Sequence, residues 1–520
     1  MNDQKRQKGF VKGAVILMLF GVLSKFVGAI YRIPLTAIIS AEGMGLYQMV
    51  FPLYTLMLTI SSSGLPSSIS KLISENVAKN NYRQAGKVLK VSLILLVCFS
   101  CVCAVFVVVF AGVIAKLQGN IEARICYYGL APAILFVGVI SGFRGYFQGF
   151  SNMTPSAVSG FIEQICKLAF GLYFASLWVD RGVGWACLGA LVGISVSELV
   201  AGLYLLIRFL IDKKGKKHLY LQGQSLSTRG TIKQVLSLSI FVTLGGLIMP
   251  LTMLIDSVVV INILKNIGFS TSIATTLFGI QTGTVGSIIN MPVVLSLAVS
   301  TAILPCISRC KTKSDWCGVK QNISKAFLVT IVLTLFASAF ILGFAQPIIK
   351  ILYGRSLGID EINVASNLLE IASVSVLYLA LVQVSAGILQ GLGKFYIPLI
   401  SLSVGGIVKI LLNLILIRIP SINIYGAELS TASCYLTAGI INICVLKKMG
   451  VLKVTNKLWI SLLLCVGVVF SKYIFKWLCL CNLNYFLSFL LTAFIVGVVY
   501  VFIMLIVLRK ELIKTKNTFN

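Results

Sequence analysis

The chain of 520 residues is 58% hydrophobic and 11% charged, and its 44 lysines and arginines against 15 acids leave a net charge of +29. A soluble domain cannot hide that much apolar surface, so the composition excludes a soluble globular enzyme and predicts an all-α polytopic membrane protein. The basic excess follows loop position rather than clustering on one domain, so it calls for no nucleic-acid partner.

The first apolar run, residues 11–40, is too long for a cleavable signal, and no small-residue cleavage site follows it. It carries Lys25 and Arg32 in its interior. Each cation buried mid-span costs roughly 2.5–3.5 kcal/mol on an insertion scale. Seven residues is close to two helical turns, so both cations lie on one face. That face is either the wall of a cationic cavity or a structural pair, with Arg32 near enough to the span end to snorkel.

Further spans are expected at 46–69, 88–115, 126–146, 156–179, 185–207, 235–261, 283–306, 326–352, 366–392, 396–417, 422–446, 458–478 and 484–508. With the first they make about fourteen transmembrane helices. An even number places both ends on one side of the membrane. The N-terminal Lys5, Arg6 and Lys8, the C-terminal Arg509, Lys510, Lys514 and Lys516, and alternate connections are basic. That bias predicts cytoplasmic termini in a plasma-membrane protein.

The 14 cysteines sit mostly within apolar runs and read as small membrane hydrophobes. His218, in a basic loop, is the sole histidine, so no metal site with histidine spacing is expected. No cofactor is expected.

The chain also repeats itself. Pro34-Leu35-Thr36 recurs as Pro250-Leu251-Thr252, and Leu65-Pro66 with Ile69-Ser70-Lys71 recurs as Leu304-Pro305 with Ile307-Ser308-Arg309. Phe110-Ala111 with Lys116 returns as Phe344-Ala345 with Lys350. Gln148-Gly149, Pro155 and Lys167 return as Gln390-Gly391, Pro398 and Lys409. Four matches in one order predict a six-helix duplication, and an even repeat keeps its topology. The expected organisation is an N-terminal lobe at 1–211, a basic cytoplasmic linker at 212–233, a C-terminal lobe at 234–449, and two extra helices with a tail at 450–520.

Aligned on the repeat, Lys25 falls opposite Phe241 and Arg32 opposite Ile248, so these cations are peculiar to the first copy. Asp256 likewise has no acidic counterpart. Lys167 and Lys409 occur in both copies. Glu163 and Lys167, four apart with the acid first, form a favourable helical pair that would neutralise itself. Together with Asp256, Glu198 and Glu428, these residues are the further candidates for the cavity or for coupling to an ion. Solvation near a span end is the competing role for Asp256.

These stretches bring a resemblance into view. GAIYRIPL (28–35), SAEGMGLYQ (40–48), GLPSSISKLISE (64–75), FRGYFQGFSNMTPSAVSGFIEQ (143–164) and PIIKILYG (347–354) resemble the MOP exporter superfamily. Within it, they look like the branch of stage V sporulation protein B and lipid II flippase-like polysaccharide transporters. The resemblance covers essentially the whole chain. It implies alternating access and outward flipping of a polyprenyl-diphosphate-linked saccharide, with Lys25 and Arg32 engaging the diphosphate and helices 13 and 14 serving the lipid tail. It implies a lipid-linked oligosaccharide substrate, membrane lipids and cell-wall synthases as partners, with coupling to membrane potential, Na+ or H+. Two departures stand out: Arg32 is displaced by about one residue, and the cations expected in helices 2 and 8 are missing.

The alternatives are a cation-coupled multidrug antiporter of the same superfamily and a non-transporting sporulation membrane scaffold. An antiporter for cationic drugs needs acids where helix 1 offers cations, and typically stops at twelve helices. A membrane-embedded enzyme lacks any nucleophile–base set.

Overall fold

In a computed structural model the chain is described over residues 2–215, 223–224, 226–452, 465–480 and 484–517, and every regular element among them is helical. In lipid, a helix satisfies its own backbone, so this is the expected outcome of long apolar runs. Eleven helices among the described residues are long and apolar enough to cross a membrane, fewer than the fourteen expected.

The difference arises at three places. The first two expected spans form one continuous run, Leu19–Ala78, which contains most of α1 (Asn2–Leu58) and all of α2 (Leu65–Ala78). A left-handed residue, Ser40 at φ 64°, breaks α1 where the sequence places the turn. Helix α5 (Thr154–Leu177) forms but is not among the eleven, because its apolar surface is interrupted by Glu163 and Lys167. The expected span 458–478 lies partly outside the described residues.

The remaining helices of the first compact unit, which runs to Gly283, are α3 (Tyr82–Leu117), α4 (Ala123–Gly149), α6 (Val183–Gly215), α7 (Thr228–Gly246), α8 (Ile248–Asn266) and α9 (Thr271–Gly279). The second unit, from Thr284, holds α10 (Gly286–Thr312), α11 (Trp316–Tyr353), α12 (Ile359–Gly391), α13 (Tyr396–Leu416), α14 (Ile424–Lys448), α15 (Lys472–Leu480) and α16 (Tyr485–Asn517).

The repeat is visible in the packing within each unit. The first unit packs α2, α3, α4 and α6 around Ile69, Leu96, Tyr146 and Leu205. The second packs α10, α11, α12 and α14 around Ile307, Ile323, Ile388 and Leu446. In the first unit α5 lies on α6, and in the second α13 lies on α14. The turn after Gln148-Gly149 closes with Ser151 at φ 58°, and the turn after Gln390-Gly391 closes with Gly393 at φ 77°. Both make the same helix-ending bond, from Asn152 N to Phe147 O at 2.9 Å and from Lys394 N to Leu389 O at 2.8 Å.

Because lipid is as apolar as a leucine, close backbone approach rather than burial from water holds such helices together. Gly149 packs on Ser70 O and Ile73, and Gly391 on Leu304 O and Ile307, the same mode in both units. Proline and π-helical turns interrupt the spans at related levels. Pro66 follows a π-helical segment, Thr59–Ser63, whose freed carbonyls are taken up locally. Ser62 Oγ donates to Leu58 O at 2.7 Å and Ser68 Oγ to Gly64 O at 3.0 Å.

The seventh expected span, α7 with α8, packs with the first unit rather than ending its contacts at the 212–233 linker. Polar bonds at both ends of α3 hold it. At the start of α3, Gln84 donates to Thr231 Oγ1 at 3.2 Å and accepts from Leu226 N at 2.9 Å. Past its end, Gln118 donates to Ser257 Oγ at 2.9 Å and Asn120 to Thr275 Oγ1 at 3.0 Å. Lys265 Nζ donates to Gly119 O at 2.7 Å. None of these polar partners has the hydrophobic periodicity that marks a packing face, so the sequence carried no sign of the pairing.

Candidate functional site

Lys25, Gly28 and Arg32 stand at i, i+3 and i+7 on α1 and so share a face. Lys25 is exposed and has no hydrogen bond or ion pair among the described residues, and Arg32 is half-buried. Gly28 between them admits a neighbour from α5: a Cβ at this position would stand 3.0 Å from Gln164 Oε1. The two cations therefore flank the point where an amide from α5 reaches helix α1.

From Gln164 a polar chain runs into the unit. Its Nε2 donates to Glu163 Oε1 at 2.9 Å, and Arg144 on α4 pairs with Glu163 Oε2 at 3.0 Å. Arg144 Nε also donates to Ser159 Oγ at 3.1 Å, which fixes the guanidinium in its fork. The expected Glu163–Lys167 pair does not form. The guanidinium supplies two directed donors where the ammonium supplies a point charge, so Arg144 takes the carboxylate. Lys167 instead lies over two rings of α1, 5.4 Å from the Tyr31 centroid and 5.6 Å from that of Phe51. Tyr31 fits beneath it only because residue 171 is glycine: a Cβ there would stand 2.4 Å from the Tyr31 hydroxyl.

Glu198 on α6 completes the group. It is buried, and the charges acting on it are those of Glu163, Arg144 and Lys167. The structure thus brings Glu163, Lys167 and Glu198 together in the first unit, beside the face that carries Lys25 and Arg32. Asp256 is buried on α8 in the same unit, next in sequence to the Ser257 that Gln118 holds. Lys409 and Glu428 belong to the second unit, on the packed helices α13 and α14, half-buried and buried respectively. Arg144 is the member the sequence reading missed. Its signal was available, a lone arginine closing the apolar span 126–146.

Arg144→Ala leaves Glu163 a half-buried carboxylate without its ion-pair partner. The expected loss is about 2–3 kcal/mol, below the roughly 3–5 kcal/mol of fully buried pairs because part of each side chain meets solvent. The double variant Arg144→Met/Glu163→Leu should recover most of it. Thermal unfolding of the detergent-solubilised protein checks both, and equal stability of the single variant and the parent would show that the pair contributes nothing.

A family model for polysaccharide biosynthesis proteins matches residues 10–311, which spans α1 through α10 and hence the whole of this charged group. The chain belongs to the polysaccharide biosynthesis protein family. A MatE model matches residues 281–415 of this family member. The chain is similar to stage V sporulation protein B of Bacillus subtilis (strain 168), with 28% identity covering 81% of this chain and 80% of that one. It is also similar to lipid II flippase MurJ of the same organism, with 27% identity over 84% of this chain and 82% of that one. A solved structure of lipid II flippase MurJ in an inward closed conformation shares the fold, with TM-score 0.71 and 13% identity, covering 96% of this chain and all of that one. This polysaccharide biosynthesis protein is a multi-pass membrane protein, with eleven described helices long and apolar enough to cross a bilayer.

Proposed function

We propose that the protein flips a polyprenyl-diphosphate-linked saccharide, lipid II or a related glycan, from the inner to the outer leaflet by alternating access, for cell-wall or spore-cortex synthesis. The observation that carries this reading is the Lys25–Gly28–Arg32 face, where an exposed cation without a described partner shares a helix face with a second cation. A diphosphate needs cationic partners, and charge-assisted bonds are strong in a site of low dielectric. A headgroup that crosses in a polar path while its tail stays in lipid avoids the cost of carrying hydroxyls and phosphates through hydrocarbon. Similarity to a protein named as a lipid II flippase supports the same substrate class.

In this reading both termini are cytoplasmic, and an inward-negative potential favours outward movement of an anion by about 2.3 kcal/mol per charge per 100 mV. Asp256, Lys409 and Glu428 remain candidates for the cavity or for ion coupling. The second reading, a cation-coupled multidrug antiporter, draws on the MatE match at 281–415. Native mass spectrometry of the purified protein separates the two. A retained polyprenyl-diphosphate glycan supports the flippase. Retention of bulk phospholipid alone, with cationic dyes bound and displaced by sodium or acid, supports the antiporter.

Residues 458–508 lie outside the repeat, and their described part packs on α11. Tyr500 donates to Val332 O at 2.8 Å, and Lys350 Nζ lies 4.8 Å from the Tyr485 ring centroid. If these helices serve the lipid tail, deleting 458–508 abolishes flipping while the preceding helices still insert. Transport assays on reconstituted protein, alongside membrane fractionation, check this. Full transport by the truncated chain would exclude the role.

A further inference from the structure

Glu198 stands out among the charged groups of the first unit. Arg144 and Glu163 neutralise each other, and Lys167 rests on two aromatic faces. Glu198 is 6% exposed, on a membrane-spanning helix, and forms no hydrogen bond or ion pair with a described residue, while its carboxylate oxygens keep some accessible surface. Leaving a buried carboxylate without donors is costly, whereas the neutral acid needs far less solvation.

Each helix packed on this position presents a titratable or charged group. Glu163 and Lys167 come from α5, Arg144 from α4, and Tyr54 from α1, which lies in the field of both Glu198 and Glu163. Two cations beside one free carboxyl disfavour a metal cation, which would also want several oxygen ligands. A proton needs one. We propose that Glu198 is a proton-binding site linked to anion binding on the Lys25–Arg32 face, so that a diphosphate binds more tightly when Glu198 carries its proton.

The electrostatic reasoning is direct. With Glu198 neutral, the group of Arg144, Glu163, Lys167 and Glu198 has a net charge of +1; with Glu198 ionised it has none. That added positive charge lies one polar chain away from the anion face, through Glu163 and Gln164 to Gly28. Linkage is reciprocal, so binding the anion also draws a proton onto Glu198. The anion half of the inference rests on the proposed diphosphate site, while the proton half does not.

Two measurements on the full-length detergent-solubilised protein separate these halves. Infrared titration should show a protonated carboxyl band at neutral pH that disappears in Glu198→Gln. In Lys167→Gln the band should persist to higher pH, because a cation that would stabilise the carboxylate is gone. A parent without the band, or a Glu198→Gln variant that keeps it, overturns the proton site. Binding of farnesyl diphosphate should weaken with rising pH by about 10-fold more in the parent than in Glu198→Gln. The ligand's own titration appears in both proteins and cancels. Equal pH dependence overturns the linkage. If farnesyl diphosphate fails to bind at any pH, the linkage and the diphosphate site fall together, and the infrared band still decides the proton site.

Discussion

Lys25→Gln/Arg32→Gln should lower transport of a polyprenyl-diphosphate lipid at least about 100-fold. Two charge-assisted contacts contribute about 1.5–3 kcal/mol each, so their joint loss is about 3–6 kcal/mol, and each 1.4 kcal/mol is tenfold. Glutamine keeps an amide donor but is one bond shorter than lysine and two shorter than arginine, so the variant removes the charge together with some reach. Lys25 should contribute little to folding, because it is exposed and holds no described bond. Arg32 is half-buried and partnered, so the expression level of the double variant is read beside that of Lys25→Gln alone. The double variant even removes the insertion cost of two cations from an apolar span. The conservative Lys25→Arg should retain most transport, since it keeps the charge. The measurement is a leaflet-accessibility assay on reconstituted protein, with expression level scored in parallel. Unchanged flipping at normal protein level would remove these residues from the site.

Gly193→Leu should prevent the protein from accumulating in the membrane. A Cβ at residue 193 would fall 2.4 Å from both Cα and N of Gly171 and 2.7 Å from the carbonyl carbon of Phe170. All three are backbone atoms, so no rotamer change can relieve the clash and α5 must move away from α6. Four residues earlier, Gly189 meets the backbone of Phe174 and Ala175 just as closely, so the whole crossing depends on missing side chains. Gly193→Ala should cost about 1–3 kcal/mol, the usual range for overpacking. The consequence reaches function because α5 carries Glu163, Gln164 and Lys167, while α6 carries Glu198. Gly497→Ala is the control: nothing lies within 4 Å of its Cβ position, and it should be neutral or slightly stabilising. Membrane abundance and gel-filtration profile of the three variants test the account. A well-behaved Gly193→Leu protein would mean that the two helices are not held in this close contact.

The Glu163 pairing shows where reading the sequence stops. Spacing of four residues placed Lys167 within reach of Glu163, and along one helix that inference is sound. It fails because α4 delivers Arg144, nineteen positions back in the chain, to the same carboxylate. Local spacing ranks partners within a helix and is blind to those from another. The approach of the Gln164 amide to Gly28 is of the same kind, a contact between two helices that spacing along one of them does not reveal.

The sequence by itself determined that the chain lies in a membrane, that its elements are helices, that its two halves repeat, and that Lys25 and Arg32 share a face. These follow from composition, span length and the 3.6-residue turn, which act on residues close together in the chain. Only the tertiary structure decided which charges meet, that α7 to α9 group with the first unit, and that Glu198 is enclosed without a partner. Those outcomes depend on contacts between residues tens to hundreds of positions apart, made through single polar bonds and bare glycine backbone that leave no periodic trace in a sequence.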